Sequence, residues 1–182
     1  IDPKVMQFIK QENAATEVLP LVNNFDPITN EWKAEIGDFL ADPAGRQRFR
    51  NELATFLASD KYRGLTLDLE GFPEKDQPGY KALVAELASD LHAKGMKLYV
   101  SVPIANPDFD YPYMSSLVDG LILMNYDEHY PGGEPGPIAS QEWFTQNLEK
   151  AVKQIPREKI ICALGNYGYD WVTIKGKKPF PT

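Results

Sequence analysis

The chain has 182 residues, 43% hydrophobic and 25% charged, enough for one domain with a core of its own and marginal for two. Its formal net charge of -7 argues against nucleic acid or an anionic membrane as partner, because phosphate contacts need clustered Lys and Arg. It holds no run of about 18 apolar residues that would predict a membrane-spanning helix.

The chain opens "IDPKVMQFIKQ" without a Met and without a basic-then-apolar leader, which reads as a processed or excised piece. In that opening, Val5, Phe8 and Ile9 behind Pro3 predict a helix. The run "EVLPLVNNF", residues 17–25, fits a strand buried on both faces. Over 47–59, Phe49, Leu53, Phe56 and Leu57 fall on one helical stripe. "GLTLDLEGF", residues 64–72, predicts a second strand. Leu83, Leu87 and Leu91 mark a helix over 79–94, and Gly95 stops it. "KLYVSVPI" (97–104) is a third strand, followed by "NPDFDYPYMSS", a loop with at most a small helix. "VDGLILMNY" (118–126) is a fourth. Phe144, Leu148 and Val152 then define a helix over 140–154, with Ser140 as N-cap and Glu142 in its first turn. "EKIICALGNY" (158–167) is the fifth strand. It carries the single cysteine, Cys162, which forms no intrachain disulfide and reads as a buried, inert thiol. The tail "VTIKGKKPFPT" is a hairpin around Lys175–Gly176 or an extended end.

Strands alternating with helices predict right-handed crossovers and a parallel sheet. A doubly wound open sheet wants a Gly-rich turn after its first strand, and none is present. A barrel instead places functional groups at the C-terminal ends of several strands. Polar residues concentrate there: Asn23 and Asn24, Asp68 and Glu70, Ser101, then Asn125, Tyr126 and Asp127, then Asn166 and Tyr167. A full barrel has eight strands and about 250 residues. Five strands predict a partial (β/α)8 barrel, a single α/β domain over residues 1–182.

Two acids at i and i+2 of a strand point to the same side. Thr66, Asp68 and Glu70 therefore form one column, with Glu70 at its mouth, while Leu65, Leu67 and Leu69 face the helices. Two carboxylates on one face perturb each other. The ionised one raises its neighbour's pKa, favouring a protonated acid that can donate to a leaving group.

"GLTLDLEGF" resembles the strand-four signature of the family 18 glycoside hydrolases, the chitinase-like barrels, written DGxDxDxE. Gly64, Asp68 and Glu70 match it, while Arg63 and Thr66 stand where the first two acids would be. "LILMNYDEH" is similar to the family's strand-six Met-x-Tyr-Asp, through Met124, Tyr126 and Asp127. "CALGNYGYDW" resembles its strand-seven segment, through Tyr167 and Gly168. The finer likeness is to chitinase-like domains of bacterial envelope proteins, including deacetylase and glycosyltransferase fusions and the spore-cortex lytic type. The resemblance implies that the strands here are the third through seventh of the barrel.

It also implies a substrate-assisted mechanism, an exception to the two-carboxylate scheme. Glu70 would protonate the glycosidic oxygen, and Asp68 would hold the acetamido N–H. Tyr126 would hold the acetamido oxygen, and Asp127 would position the sugar. Asn24, Asn125, Tyr167 and Trp171 are the further candidate sugar-binding residues, with two alternatives open: Asn24 satisfying the strand end, and Trp171 as a core or loop anchor. The implied substrate is a GlcNAc-containing polysaccharide, and the implied location extracellular or the cell envelope. No cofactor is expected. Fused deacetylase or glycosyltransferase modules and self-association through exposed barrel edges are the other expected partners. Thr66 in place of the deeper acid, and "VNNFD" in place of the family's strand-three Ser-x-Gly-Gly, leave open a non-catalytic carbohydrate-binding or scaffold domain. His129 in "DEH" invites a metal reading, but the other His, His92, lies in a predicted helix far along the chain, so no metal site is expected.

Overall fold

A computed structural model describes residues 2–12, 15–59, 62–172 and 180–181. The chain forms two compact units, residues 1–101 with 116–119, and 102–115 with 120–182.

The first unit opens with α1 (Pro3–Glu12) and strand β1 (Leu21–Asn23). A short antiparallel pair follows, β2 (Phe25–Asp26) with β3 (Glu31–Trp32), and then helices α2 (Ile36–Ala41) and α3 (Pro43–Ser59). Strand β4 (Gly64–Asp68), helix α4 (Gln77–His92) and strand β5 (Lys97–Pro103) complete it, β5 crediting its last two residues to the second unit. β1, β4 and β5 are mutually parallel, with Asn23 beside Asp68 and Leu67 beside Val100. Leu65, Leu67, Leu98 and Val100 are wholly buried, as are Leu83 and Val84 of α4. Burying such side chains, at roughly 1.5–3 kcal/mol each, is what fixes the strands' register. α4 ends where expected: Gly95 adopts φ +67°, and the Met96 N–H returns to the Leu91 carbonyl. Arg46, nearly buried on α3, ties that helix to α4 through Glu86, and Arg50 does so through Glu86 and Asp90.

The second unit holds α5 (Tyr111–Leu117), β6 (Gly120–Met124), α6 (Gln141–Ala151) and β7 (Ile160–Ala163). β6 and β7 pair in parallel, Leu121 beside Ile160 and Met124 beside Ala163. A last antiparallel pair joins β8 (Trp171–Val172) to β9 (Phe180–Pro181); the turn expected at Lys175–Gly176 lies outside the described residues. Leu121 and Leu123 on one side of β6 are fully buried, whereas Ile122 and Met124 on the other side are only partly covered; just past the strand, Asn125 is buried and Tyr126 partly covered. All five expected strands and the four expected helices are present. The β2–β3 pair and α2 were not expected.

Candidate active site

The first cluster of site residues sits in the first unit, at the C-terminal end of β4. Asp68 is the last residue of that strand, and parallel pairing of β4 with β5 places Ser101 nearby. The Ser101 hydroxyl donates to the Asp68 carboxylate, while Asp68 Oδ1 is buried with no hydrogen-bond partner in the protein. Burial pushes the Asp68 carboxyl above its ordinary 3.8, and the Ser101 bond offsets part of that. The deeper family acid is replaced by Thr66, itself buried, so a hydroxyl from β5 supplies the partner that β4 lacks.

Glu70 lies two residues beyond the strand, where ladder bonding has stopped. It is held nonetheless. Its N–H donates to Asn24 Oδ1 at 2.9 Å, and its carbonyl accepts from Asn24 Nδ2 at 2.7 Å. The second Asn24 N–H goes to the Lys33 carbonyl at 3.1 Å, and the Lys33 N–H returns to the Asn24 carbonyl at 3.0 Å. One side-chain amide therefore does the work of a strand pair, just past β1 and across from the acid. Immediately after Glu70 the chain turns at Gly71, φ +74°, where a Cβ would strike the Trp32 side chain. This corrects one expectation: Asn24 does not offer its amide to a ligand, because its polar atoms are committed to backbone.

Tyr80 was not expected to matter. It lies wholly buried on α4, and burial first, then the charges of Asp68 and Glu70, hold its phenol far above the ordinary range. It therefore stays a neutral wall beside both carboxylates. Its sequence signal was its place three residues before Leu83, on the stripe of Leu83, Leu87 and Leu91.

The second cluster belongs to the second unit. After β6 the chain bends sharply, the Asn125 N–H reaching the Leu123 carbonyl at 2.9 Å. Asp127 adopts φ +63°, a left-handed conformation that Asp tolerates better than most residues. Its Oδ1 accepts from the Tyr167 hydroxyl at 2.5 Å. Burial first, then that bond and the Asp127 charge, raise the Tyr167 phenol, so it remains a donor. Four rings run edge to face from there: Tyr126 to Tyr167 at 6.0 Å, Tyr167 to Tyr169 at 5.7 Å, Tyr169 to Trp171 at 6.0 Å. Tyr169 was absent from the expected set; its place at i+2 between Tyr167 and Trp171 was the available clue. Trp171 is half-buried, and its Nε1 has no hydrogen-bond partner.

Asn125 is the second correction. It is fully buried on the side of β6 that faces α6, and its Nδ2 donates to the Phe144 carbonyl at 3.1 Å. It is a strand-to-helix tie without surface to offer a sugar. The remaining polar residues of "YDEH" are structural too. Glu128 accepts from the Ser140 N–H and hydroxyl, and Ser140 Oγ accepts from the Trp143 N–H, capping α6. His129 Nδ1 bonds the Glu134 carbonyl at 2.8 Å. Among the described residues no group of three or more His, Cys, Asp or Glu is placed to hold a metal.

With this geometry, an α/β chain of parallel strands carries one acid at a strand end and a second just past it, and a Tyr-Asp pair past another strand. The model of the glycosyl hydrolases family 18 matches residues 4–180, and the chain belongs to that family. It is 27% identical to the uncharacterized glycosylase YvbX of Bacillus subtilis over 178 residues, 92% of this chain and 51% of YvbX. It is 24% identical to the cortical fragment-lytic enzyme of the same organism over 170 residues, 88% of this chain and 39% of that one. The crystal structure of Bacillus subtilis YdhD superposes with a TM-score of 0.86 at 26% identity, over 100% of this chain and 63% of that one. A chitinase from Chromobacterium violaceum superposes with a TM-score of 0.81 at 28% identity, over 91% of this chain and 54% of the chitinase. The fold is therefore a partial (β/α)8 barrel, and the chain spans about half the length, or less, of these two curated relatives.

Proposed function

We propose that the protein is a retaining hydrolase of GlcNAc-containing glycan, with Glu70 as acid and base. The observation that carries the reading is the state of the 68–70 pair. Asp68 presents a buried, unpartnered Oδ1, the acceptor that a substrate N–H would need. Glu70 stands two residues on, with its backbone fastened at both ends by one amide. Family membership and the chitinases and cortical fragment-lytic enzymes among the relatives support a polysaccharide substrate and action outside the cell or in its envelope.

In this scheme Glu70 gives its proton to the glycosidic oxygen as the bond from that oxygen to C1 breaks. The substrate's acetamido carbonyl oxygen bonds C1 and closes an oxazolinium ring. Asp68 accepts the acetamido N–H through Oδ1 and balances the charge that develops. Tyr126 holds the acetamido oxygen, and Asp127, braced by Tyr167, orients the sugar. Water then attacks C1 as the ring bond from C1 to the acetamido oxygen breaks, giving one proton to Glu70 and restoring the acetamide, and the configuration is retained.

The test is cleavage of chitooligosaccharides and peptidoglycan fragments by the full-length protein beside Glu70→Gln. Turnover should fall by about 10²–10⁴-fold in the variant, the share a positioned general acid supplies. A second reading is favoured by Thr66, which leaves Asp68 without the deeper acid: a binding domain that holds glycan without cutting it. Absence of cleavage together with glycan-induced thermal protection would select that reading.

A further inference from the structure

Apart from both clusters' residues, the second unit holds a cavity of about 280 Å3, open to solvent beside Lys150 and Gln154, between the loop after β5 and one face of α6. Asn147 and Lys150 lie three residues apart on that face, and Gln154 follows three residues past the helix end. Phe109, Tyr111 and Leu123 supply apolar wall. Ala151 among them is small, which leaves the space open.

Two features show a built site rather than a packing gap. The first is Asn147. It is 5% exposed, and its Nδ2 is buried without a hydrogen-bond partner in the protein. An apolar gap needs no such group, and burying it uncompensated opposes folding. The second is the loop. Ala105 stands at φ +54°, a conformation that L residues rarely adopt. Tyr111 holds the loop there: its hydroxyl accepts the Asn106 N–H at 2.8 Å and donates to the Pro103 carbonyl at 2.7 Å. Asn106 Oδ1 in turn accepts the Asp108 N–H at 2.9 Å. The wall is therefore fixed before any ligand arrives.

The donor set names the ligand class. Three amides, of Asn106, Asn147 and Gln154, and one ammonium line the cavity, and no Asp or Glu does, in a chain whose net charge is -7. The unpartnered group is a donor and the charged one a cation, a pair that favours an anion over a neutral sugar. We propose that this cavity is a second binding site that takes a small carboxylate. Asn147 Nδ2 and the Lys150 ammonium donate to its oxygens, and Phe109, Tyr111 and Leu123 enclose its apolar body. The site does not depend on the hydrolase reading.

The experiment is thermal melting of the full-length protein at matched ionic strength. The probes are acetate, lactate, N-acetylalanine and glucuronate, each at 10 mM, with N-acetylalanine amide as the uncharged control. At least one carboxylate should raise the melting temperature by about 2–4 °C, and the amide should not. Asn147→Leu should melt higher than wild type without ligand and lose the shift. Lys150→Gln, at an exposed position, should fold normally and weaken the shift several-fold. No shift with any carboxylate, an equal shift with the amide, or a shift that survives both substitutions would overturn the proposal.

Discussion

At the residue scale, Asp68 trades stability for a poised acceptor. Its pKa is raised in the folded chain, so the folded state binds a proton more tightly than the unfolded one. Below the ordinary 3.8 both states are protonated and the penalty is absent. As pH rises through the folded pKa the buried carboxyl ionises and the penalty is fully present. Asp68→Asn should therefore raise the melting temperature at pH 7, and the gain should shrink toward zero as pH falls to 3.8. A gain that grows on acidification would contradict this account of the site. Activity should be lost in the same variant, the exchange expected where a site holds a strained or desolvated group.

Asn24 acts on the acid through its backbone. Asn24→Ala removes both bonds to Glu70 and the one to Lys33. On the scale of misplaced catalytic groups this should cut kcat by about 10–100-fold with little change in KM. Asn24→Asp keeps an acceptor for the Glu70 N–H but sets a second carboxylate near the acid. The pH–rate profile should then shift to higher pH, a movement that a merely loosened fold would not produce. Steady-state kinetics across pH separates the two outcomes.

At the element scale, long runs were readable and short ones were not. β4 is a continuous apolar stretch with both faces covered, and β5 and β6 are apolar runs with one face buried and the other partly covered; such runs stand out in a sequence. β2 and β3 are two residues each and α2 is six, too short for any periodicity to emerge. The α6 N-terminus was legible through Ser140, but its other half was hidden. Glu128 lies twelve residues upstream, inside a motif that reads as chemistry, and its carboxylate serves the same cap. Ser140→Ala should cost about 1 kcal/mol, near 2–4 °C in melting temperature, and Glu128→Ala a comparable amount. Both should leave the affinity for glycan unchanged, as calorimetric titration of each variant would show.

At the scale of the whole molecule, the acids and the Tyr-Asp pair were legible as types at strand ends. Their supports were not. Asn24 and Glu70 are 46 residues apart, and the bonds run from a side chain to backbone, which leaves no mark in either residue's neighbourhood. The same holds for Ser101 with Asp68, where a hydroxyl on the next strand stands in for an acid missing from the motif. Sequence patterns report which groups face inward. They do not report which backbone atom each polar tip will find.

The Asn24 amide also joins the Lys33 carbonyl to Glu70, so one side chain stitches the loop that holds β2 and β3 to the acid. Transplanting residues 64–70 alone into another scaffold would move the carboxylates and leave their fastening behind. A designer borrowing this motif must carry the 24–33 segment with it, at unchanged length.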